Sequence, residues 1–526
     1  MQACGGAAEK SLPPLDGMIT VAQLRNLLIY MVVFPLMLVA GMFLATPHDF
    51  QGIAFVGLLF MAATLPLVLQ WHHVILITTW NAAMNAFFLP GQPDFWVAMA
   101  FVSLLFSILK TGLDKKTRLQ YEPSVAWPLV FIAAVVVFTA VMSGGFGFRV
   151  FGGAAHGAKR YIFLLGAVVG FFALSCVKIP KERAQLYAGL FFLSGVTAMM
   201  SDLIYMAGPS FYVLYYLFPV KLAIQQAASE GGAADSVFRL EGLAWAMVAF
   251  YCFMLVRYGI RGIFDIRRPW RLAFFFLAIG ASLFGGFRGR LVIMAMLFGL
   301  QFYFEGLFKR RLGYVLLTIC MLTFCSVLPF ANKLPLSVQR SLSFLPVNVD
   351  PVARQDADET IQWRLDMWRI VWPEVPNYLW IGKGYTYSPT DYFLMEEAER
   401  RGMAKNYETA LIVGNYHNGP LTILVLFGIP GMVGFIWFAV AALRVLWRNY
   451  KYGDPAMLRA NTFLLTFFIT QLAFFTLFYG QFAEDLFIFT GVVGLSIALN
   501  GVAKRRLVSQ NPIPLRPNRS MELAAK

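Results

Sequence analysis

Charge is what this chain has least of. Only 13% of its 526 residues are Asp, Glu, Lys or Arg, where a soluble domain carries about 25%. Histidine and cysteine are as sparse, with five of each. Cys4 lies in the leading segment, while Cys176, Cys252, Cys320 and Cys325 fall inside apolar runs, and no CxxC occurs. Neither a disulfide framework nor a zinc site is therefore expected. No pair of histidines has metal-ligand spacing, so no metal is expected. A Walker loop and a GxGxxG following a strand are both missing, so neither ATP nor nicotinamide use is indicated and the expected cofactor list is empty. The first 26 residues lack a cleavable signal pattern and are expected to form a cytoplasmic tail, 1–26.

What is present is apolar. The chain is 59% hydrophobic and 16% aromatic, with a mean hydropathy of +0.65. Its apolar residues cluster in runs of about 18 to 25, long enough to cross a hydrocarbon core of about 30 Å. An all-α polytopic membrane protein is expected. Fourteen candidate spans lie near 27–46, 51–70, 73–90, 93–110, 127–144, 160–178, 186–206, 240–257, 270–286, 291–308, 312–331, 418–443, 460–479 and 483–502. The pair on either side of Gly91-Gln92-Pro93-Asp94 is the weakest, and losing a pair there leaves twelve spans without changing later orientation. The expected layout is a tail 1–26, spans 27–331, a large loop 332–417, spans 418–502 and a second tail 503–526.

The net charge of +15 suits nucleic acid only until its positions are mapped. Lys110, Lys115, Lys116 and Arg118, then Lys178, Lys181 and Arg183, then Arg257, Arg261, Arg267, Arg268 and Arg271 fall in alternate loops. Lys309, Arg310 and Arg311, then Arg444, Arg448 and Lys451, then Lys504, Arg505 and Arg506 continue the series. With both termini inside, every set is cytoplasmic, which makes the excess charge a topology signal. Nucleic acid is not an expected partner; membrane lipid is. The opposite face, periplasmic in a bacterium, receives the 332–417 loop, which holds nine Lys or Arg against eleven Asp or Glu.

Within that loop Ile361, Leu365, Trp368 and Trp372 recur at helical spacing and stop at Pro373. This predicts an amphipathic helix begun near Thr360. Trp363, Trp368, Trp372 and Trp380 fit either anchoring on the outer leaflet or stacking on sugar rings. The neighbouring acids Asp350, Asp356, Asp358, Glu359, Asp366 and Glu374 either supply a base, bind a cation or, as the simplest reading, form a solvated face.

Three ionisable residues sit at the outer ends of spans: Arg239, Arg288 and His417. Arginine near hydrocarbon is costly and usually faces a cavity or partner, and its planar fork suits phosphate or diphosphate. The plainer alternatives are snorkelling or a pair with Glu241 for Arg239, and anchorage of a hairpin to anionic lipid for Arg288 or Arg290. His417, beside Asn418, is either an idle interfacial residue or a proton acceptor for a polar substrate. His72 and His73 are expected in a short cytoplasmic turn, His48 and His156 in outer loops.

His417-Asn418, nine residues, Gly428, two residues and Gly431 resemble the signature of the O-antigen ligase family. Arg239-Leu240-Glu241-Gly242 resembles the Arg-Leu-x-Gly that opens a span in these ligases and their polymerase relatives. Phe287-Arg288-Gly289-Arg290 is similar to their Ser-Arg-Gly element, and Arg364-x3-Trp368 with Gly382-x-Gly384 to a run in their large outer loop. Residues of about 235–435 carry the likeness; Phe287, Pro420 and the fourteen spans depart from the usual pattern.

The resemblance implies a metal-independent GT-C-type glycosyltransferase of the bacterial inner membrane, working at the periplasmic face without a cofactor. The implied donor is a glycan on undecaprenyl diphosphate, and the implied acceptor is lipid A-core or another glycan. It further implies that Arg239 and Arg288 bind the diphosphate, that His417 activates the acceptor hydroxyl, and that Arg290, Asn418 and Arg364 contact substrate. A polymerase of the same superfamily is the alternative within the class. A carrier or flippase for lipid-linked sugars is the alternative outside it, and would favour broken helices and charges at mid-membrane.

Overall fold

The computed structural model describes residues 50–89, 91–113, 119–143, 158–221, 239–308, 328–385 and 408–501, with a few single positions between. The chain divides into two units, 1–66 and 67–526. Helix α1 (Phe50–Thr79) begins in the first, and everything below concerns the second. There follow α2 (Phe95–Leu113), α3 (Pro123–Met142), α4 (Ala158–Ser175), α5 (Ala184–Leu193), α6 (Met200–Ala207), α7 (Glu241–Ile263), α8 (Pro269–Ser282) and α9 (Arg288–Phe304). Then come α10 (Leu336–Leu342), α11 (Pro351–Val371), α12 (Glu408–Val413), α13 (Gly419–Tyr452), α14 (Leu458–Leu477) and α15 (Phe482–Asn500). Among the described residues there is no sheet, only an isolated bridge between Asn85 and Asp94.

Among the described residues, seven helical stretches are long and apolar enough to cross a membrane: α2, α3, α7, α13 and α15, with Lys181–Ala207 through α5 and α6 and Pro455–Leu477 through α14. A broken pair, Gly57–Thr64 and Pro66–Thr79, makes an eighth if counted as one span. The polytopic all-α expectation therefore holds. The expected spans 27–46 and 312–331 lie largely outside the described residues.

Some boundaries differ. α1 continues through 71–73, where a turn is expected, and ends at Thr79, well before the expected 90. His72 and His73 are buried helical residues: His72 Nδ1 lies 2.9 Å from Ser103 Oγ on α2 and His73 Nε2 lies 2.9 Å from the Leu174 carbonyl on α4. Adjacent imidazoles look like a wet turn in sequence; packed partners on α2 and α4 remove the need for one.

Transmembrane helices gain little from apolarity against one another, so packing detail and polar contacts fix their arrangement. α15 runs along α4, α13 lies against α3 and α14, and α7 packs on α8, α5 and α14. The amino-terminal ends of α7 and α9 are tied together where the candidate arginines lie. Leu240 N donates to the Phe284 carbonyl at 3.2 Å, and the Asp202 carboxylate caps α7 by accepting from Gly242 N and Leu243 N at 3.2 and 2.7 Å.

The segment after 328 folds onto this end. α11 begins at Pro351, nine positions before the expected start, because Asp350 caps it by accepting from Val352 N at 2.9 Å with proline in the first turn. It ends at Val371, before Pro373, as the proline predicts.

Candidate functional site

α13 supplies the key local distortion. Gly428 is non-helical at φ 65°, ψ −165°, a conformation that essentially only glycine adopts. Pro430 lacks the N–H that Leu426 O needs, and Ile429 N donates instead to the Leu379 carbonyl at 2.7 Å. The two carbonyls so released are used at once: Val425 O accepts from Lys383 N at 2.8 Å and Leu426 O from Gly384 N at 3.0 Å. A Cβ at Gly382 would collide with Leu426 O. The Gly-Lys-Gly turn and the broken helix are therefore one joint, and it pins the segment carrying α11 to the membrane helices.

His417 sits immediately before this helix. Asn418 is its N-cap, with Oδ1 accepting from Leu421 N at 3.0 Å, and Pro420 occupies the first turn. Asn418 thus has a backbone to hold, and its side chain also borders a groove described below. His417 has φ +52°, uncommon for a residue with a Cβ, and its N–H donates to Asn415 Oδ1 at 3.3 Å. The ring lies edge to face between Trp363 and Tyr479, with centroids 4.8 Å from each. Nδ1 is sealed from solvent without a hydrogen-bond partner. Burial first, and the Arg364 cation second, hold the imidazole down to about 3, well below its usual 6.5, so it is neutral and able to accept a proton.

Arg364 is itself mostly buried, its Nε without a partner and its guanidinium 5.7 Å from the Trp363 ring and 5.6 Å from that of Tyr479. It lies within electrostatic reach of Arg288 and Arg340. Asp356, Thr360 and Arg364 are spaced i, i+4, i+8, which puts them on one face of α11. That face meets the arginines. Arg239 Nη2 reaches Asp356 Oδ1 at 3.3 Å, Arg288 donates to the Ala357 carbonyl, and Arg340 donates to Asp356, to the Gly286 carbonyl and, at 2.9 Å, to Thr360 Oγ1. Two turns of helix, about 12 Å, separate the Asp356 level from that of Arg364.

Arg239, Arg288, Arg364 and His417 are thus assembled by a single helix. Arg290 is set apart, its guanidinium 3.3 Å from the Trp245 ring. Two expectations need correction. Asp356 is no solvated acid but the shared partner of two arginines. Trp363 and Trp368 turn inward, Trp368 Nε1 donating to the Tyr416 carbonyl at 2.7 Å, while Trp372 and Trp380 are exposed. Arg340, Tyr479 and Asn415 went unread in sequence. Arg340 stands in no motif, and its partners are 16, 20 and 54 positions away.

Beside His417 a mostly apolar groove of about 720 Å³ runs between α11, α13 and α14, lined by Leu365, Trp368, Trp372, Leu421, Leu424 and Met432 with Asn418 at its rim. Among the described residues no three His, Cys, Asp or Glu side chains gather as metal ligands would.

No curated protein matches the chain. Residues 273–436 match the family model described as O-antigen ligase, a stretch that takes in Arg288, Arg340, Arg364, His417, Gly428 and Gly431. The chain is a multi-pass membrane protein whose residues 273–436 are similar to the O-antigen ligase family.

Proposed function

We propose that the protein transfers a glycan from undecaprenyl diphosphate to an acceptor hydroxyl, lipid A-core or a similar glycan, at the periplasmic face of a bacterial inner membrane with both termini cytoplasmic. The observation that carries this reading is the neutral His417, held beside unpaired Arg364 on the helix that also engages Arg239 and Arg288.

In the reaction the acceptor oxygen bonds to the anomeric carbon as the bond from that carbon to the diphosphate oxygen breaks. The electron pair leaves on the diphosphate, where Arg288 and Arg239 stabilise the developing charge. The hydroxyl proton goes to His417 Nε2, since Nδ1 is closed off. An imidazole at about 3 is a weak base. An anion arriving near Arg364 cancels one of the two causes and raises the basicity when the donor is present. A positioned base of this kind contributes about 10² to 10⁴ in rate. Energy comes from the leaving group, since no ATP exists outside the cytoplasm. Polymerisation by the same chemistry is the second reading, because the superfamily includes both reactions.

Arg288→Ala tests the donor role. Purified in detergent, it is expected to need at least tenfold more lipid-linked repeat unit for half-maximal transfer. Wild-type half-saturation in that variant removes Arg288 from donor binding.

A further inference from the structure

A second group of charged residues lies behind Tyr479, outside the arrangement just described. α15 is buried along nearly its whole length, yet Glu484 in its first turn is open to solvent between buried Phe482, Ala483, Asp485 and Leu486. The charges acting on it come from four other segments: Arg160 from α4, Lys221, Arg290 from α9, and Asp94 before α2. Lys221 and Arg290 share the Trp245 ring, at 5.9 and 3.3 Å. Among the described residues, neither the Glu484 carboxylate nor the Arg290 guanidinium nor the Lys221 ammonium makes a hydrogen bond or ion pair. Opposite charges are thus gathered around the solvent-accessible Glu484 carboxylate but held apart. Unpaired charges away from bulk water are costly, and here packing keeps them from neutralising one another. Trp245 holds both cations by their attraction to its face.

We propose that this charged cluster around Glu484 binds a sugar residue of the acceptor, an inference that rests on the glycan-transfer reading. A sugar hydroxyl both donates and accepts, so it satisfies carboxylates and cations in one site. A diphosphate would meet Glu484 and Asp94 as well as the cations, and a metal ion would be repelled by Arg290, Lys221 and Arg160. Tyr479 joins this cluster to the reaction. Its ring packs on His417 at 4.8 Å, its hydroxyl is bonded to the Asn415 side chain, and it feels the charges of Glu484, Asp485 and Arg290. A sugar seated against Glu484 and Arg290 therefore presents a neighbouring hydroxyl past Tyr479 towards His417. Glu484 and Lys221 are specificity-determining residues, with no part in bond breaking.

The test uses full-length protein in detergent and three probes: undecaprenyl diphosphate, the lipid-free repeat-unit oligosaccharide of the host's surface polysaccharide, and its core oligosaccharide freed from lipid A. Wild type is expected to bind one of the two saccharides. Glu484→Gln and Lys221→Ala, on separate segments, are each expected to weaken that binding at least tenfold while holding undecaprenyl diphosphate as wild type does. Binding of neither saccharide by wild type overturns the proposal, as does unchanged saccharide affinity in both variants. So does parallel loss of undecaprenyl diphosphate in both. Saccharide binding that obeys these expectations in a protein with no transferase activity sinks the transfer reading and leaves the sugar site standing.

Discussion

Gly428→Ala removes no chemical group, yet it should disable the protein. Alanine at φ 65°, ψ −165° costs about 1–3 kcal/mol of backbone strain, and its Cβ would lie 2.5 Å from the Leu379 carbonyl. Relaxing to a helical conformation instead gives up three hydrogen bonds, Ile429 N to Leu379 O, Lys383 N to Val425 O and Gly384 N to Leu426 O. At about 0.5–1.5 kcal/mol each, that is roughly 1.5–4.5 kcal/mol. The chain takes the cheaper course, so the penalty is about 1–3 kcal/mol, or roughly 5- to 150-fold in the docked population. Because the joint carries α11, and α11 carries Arg364 and Trp363 against His417, transfer should fall within that range. Gly280→Ala is the control, since a Cβ there meets nothing within 4 Å. The assay compares transfer from lipid-linked repeat unit by the two detergent-purified variants, together with protease sensitivity after residue 385. Equal rates and equal protection would refute the joint.

Arg340→Met should lower the thermal midpoint in detergent and raise the donor concentration for half-maximal transfer. It leaves the Gly286 carbonyl unpaired and Asp356 with Arg239 alone, a loss of about 1.5–3 kcal/mol. Arg340→Lys should not restore either property, because one ammonium cannot reach three acceptors; full rescue by lysine would show that charge alone matters. The acid limb of kcat/KM should lie well below pH 6.5, and that of kcat, measured with donor bound, at higher pH. For stability, an unfolded histidine takes up a proton below about 6.5 and the folded one only near 3, so His417 makes the protein lose stability as pH falls through that window. A pH–rate profile with both limbs at 6.5 would contradict the burial of His417.

The apolar runs, the place of Arg239 and Arg288 at helix starts and the glycine spacing were legible because each is a local pattern. The end of α11 was legible from Pro373, but its start was not. The Asp350-Pro351 cap lies ten residues before the apolar periodicity that marks the helix in sequence. Trp363 and Trp368 were misread because a tryptophan on an amphipathic helix suits a lipid surface as well as a protein one. Only the docking of Gly382 and Gly384 on α13 decides which way that helix turns. Arg340 and Tyr479 were invisible for a further reason. Their roles exist only through contacts with distant segments, such as the Gly286 carbonyl and the His417 ring. The glycines at 428 and 431 were read as a signature; the structure supplies the physical reason for Gly428, a helix that must break to offer two carbonyls.

The central claim is that His417 removes the acceptor proton. It is tested most directly by single-turnover transfer from undecaprenyl-diphosphate-linked repeat unit, comparing wild type with His417→Ala at equal donor occupancy. The account predicts unchanged binding of undecaprenyl diphosphate and a transfer rate lowered by about 10² to 10⁴. A variant that binds the donor and transfers it at the wild-type rate would contradict it.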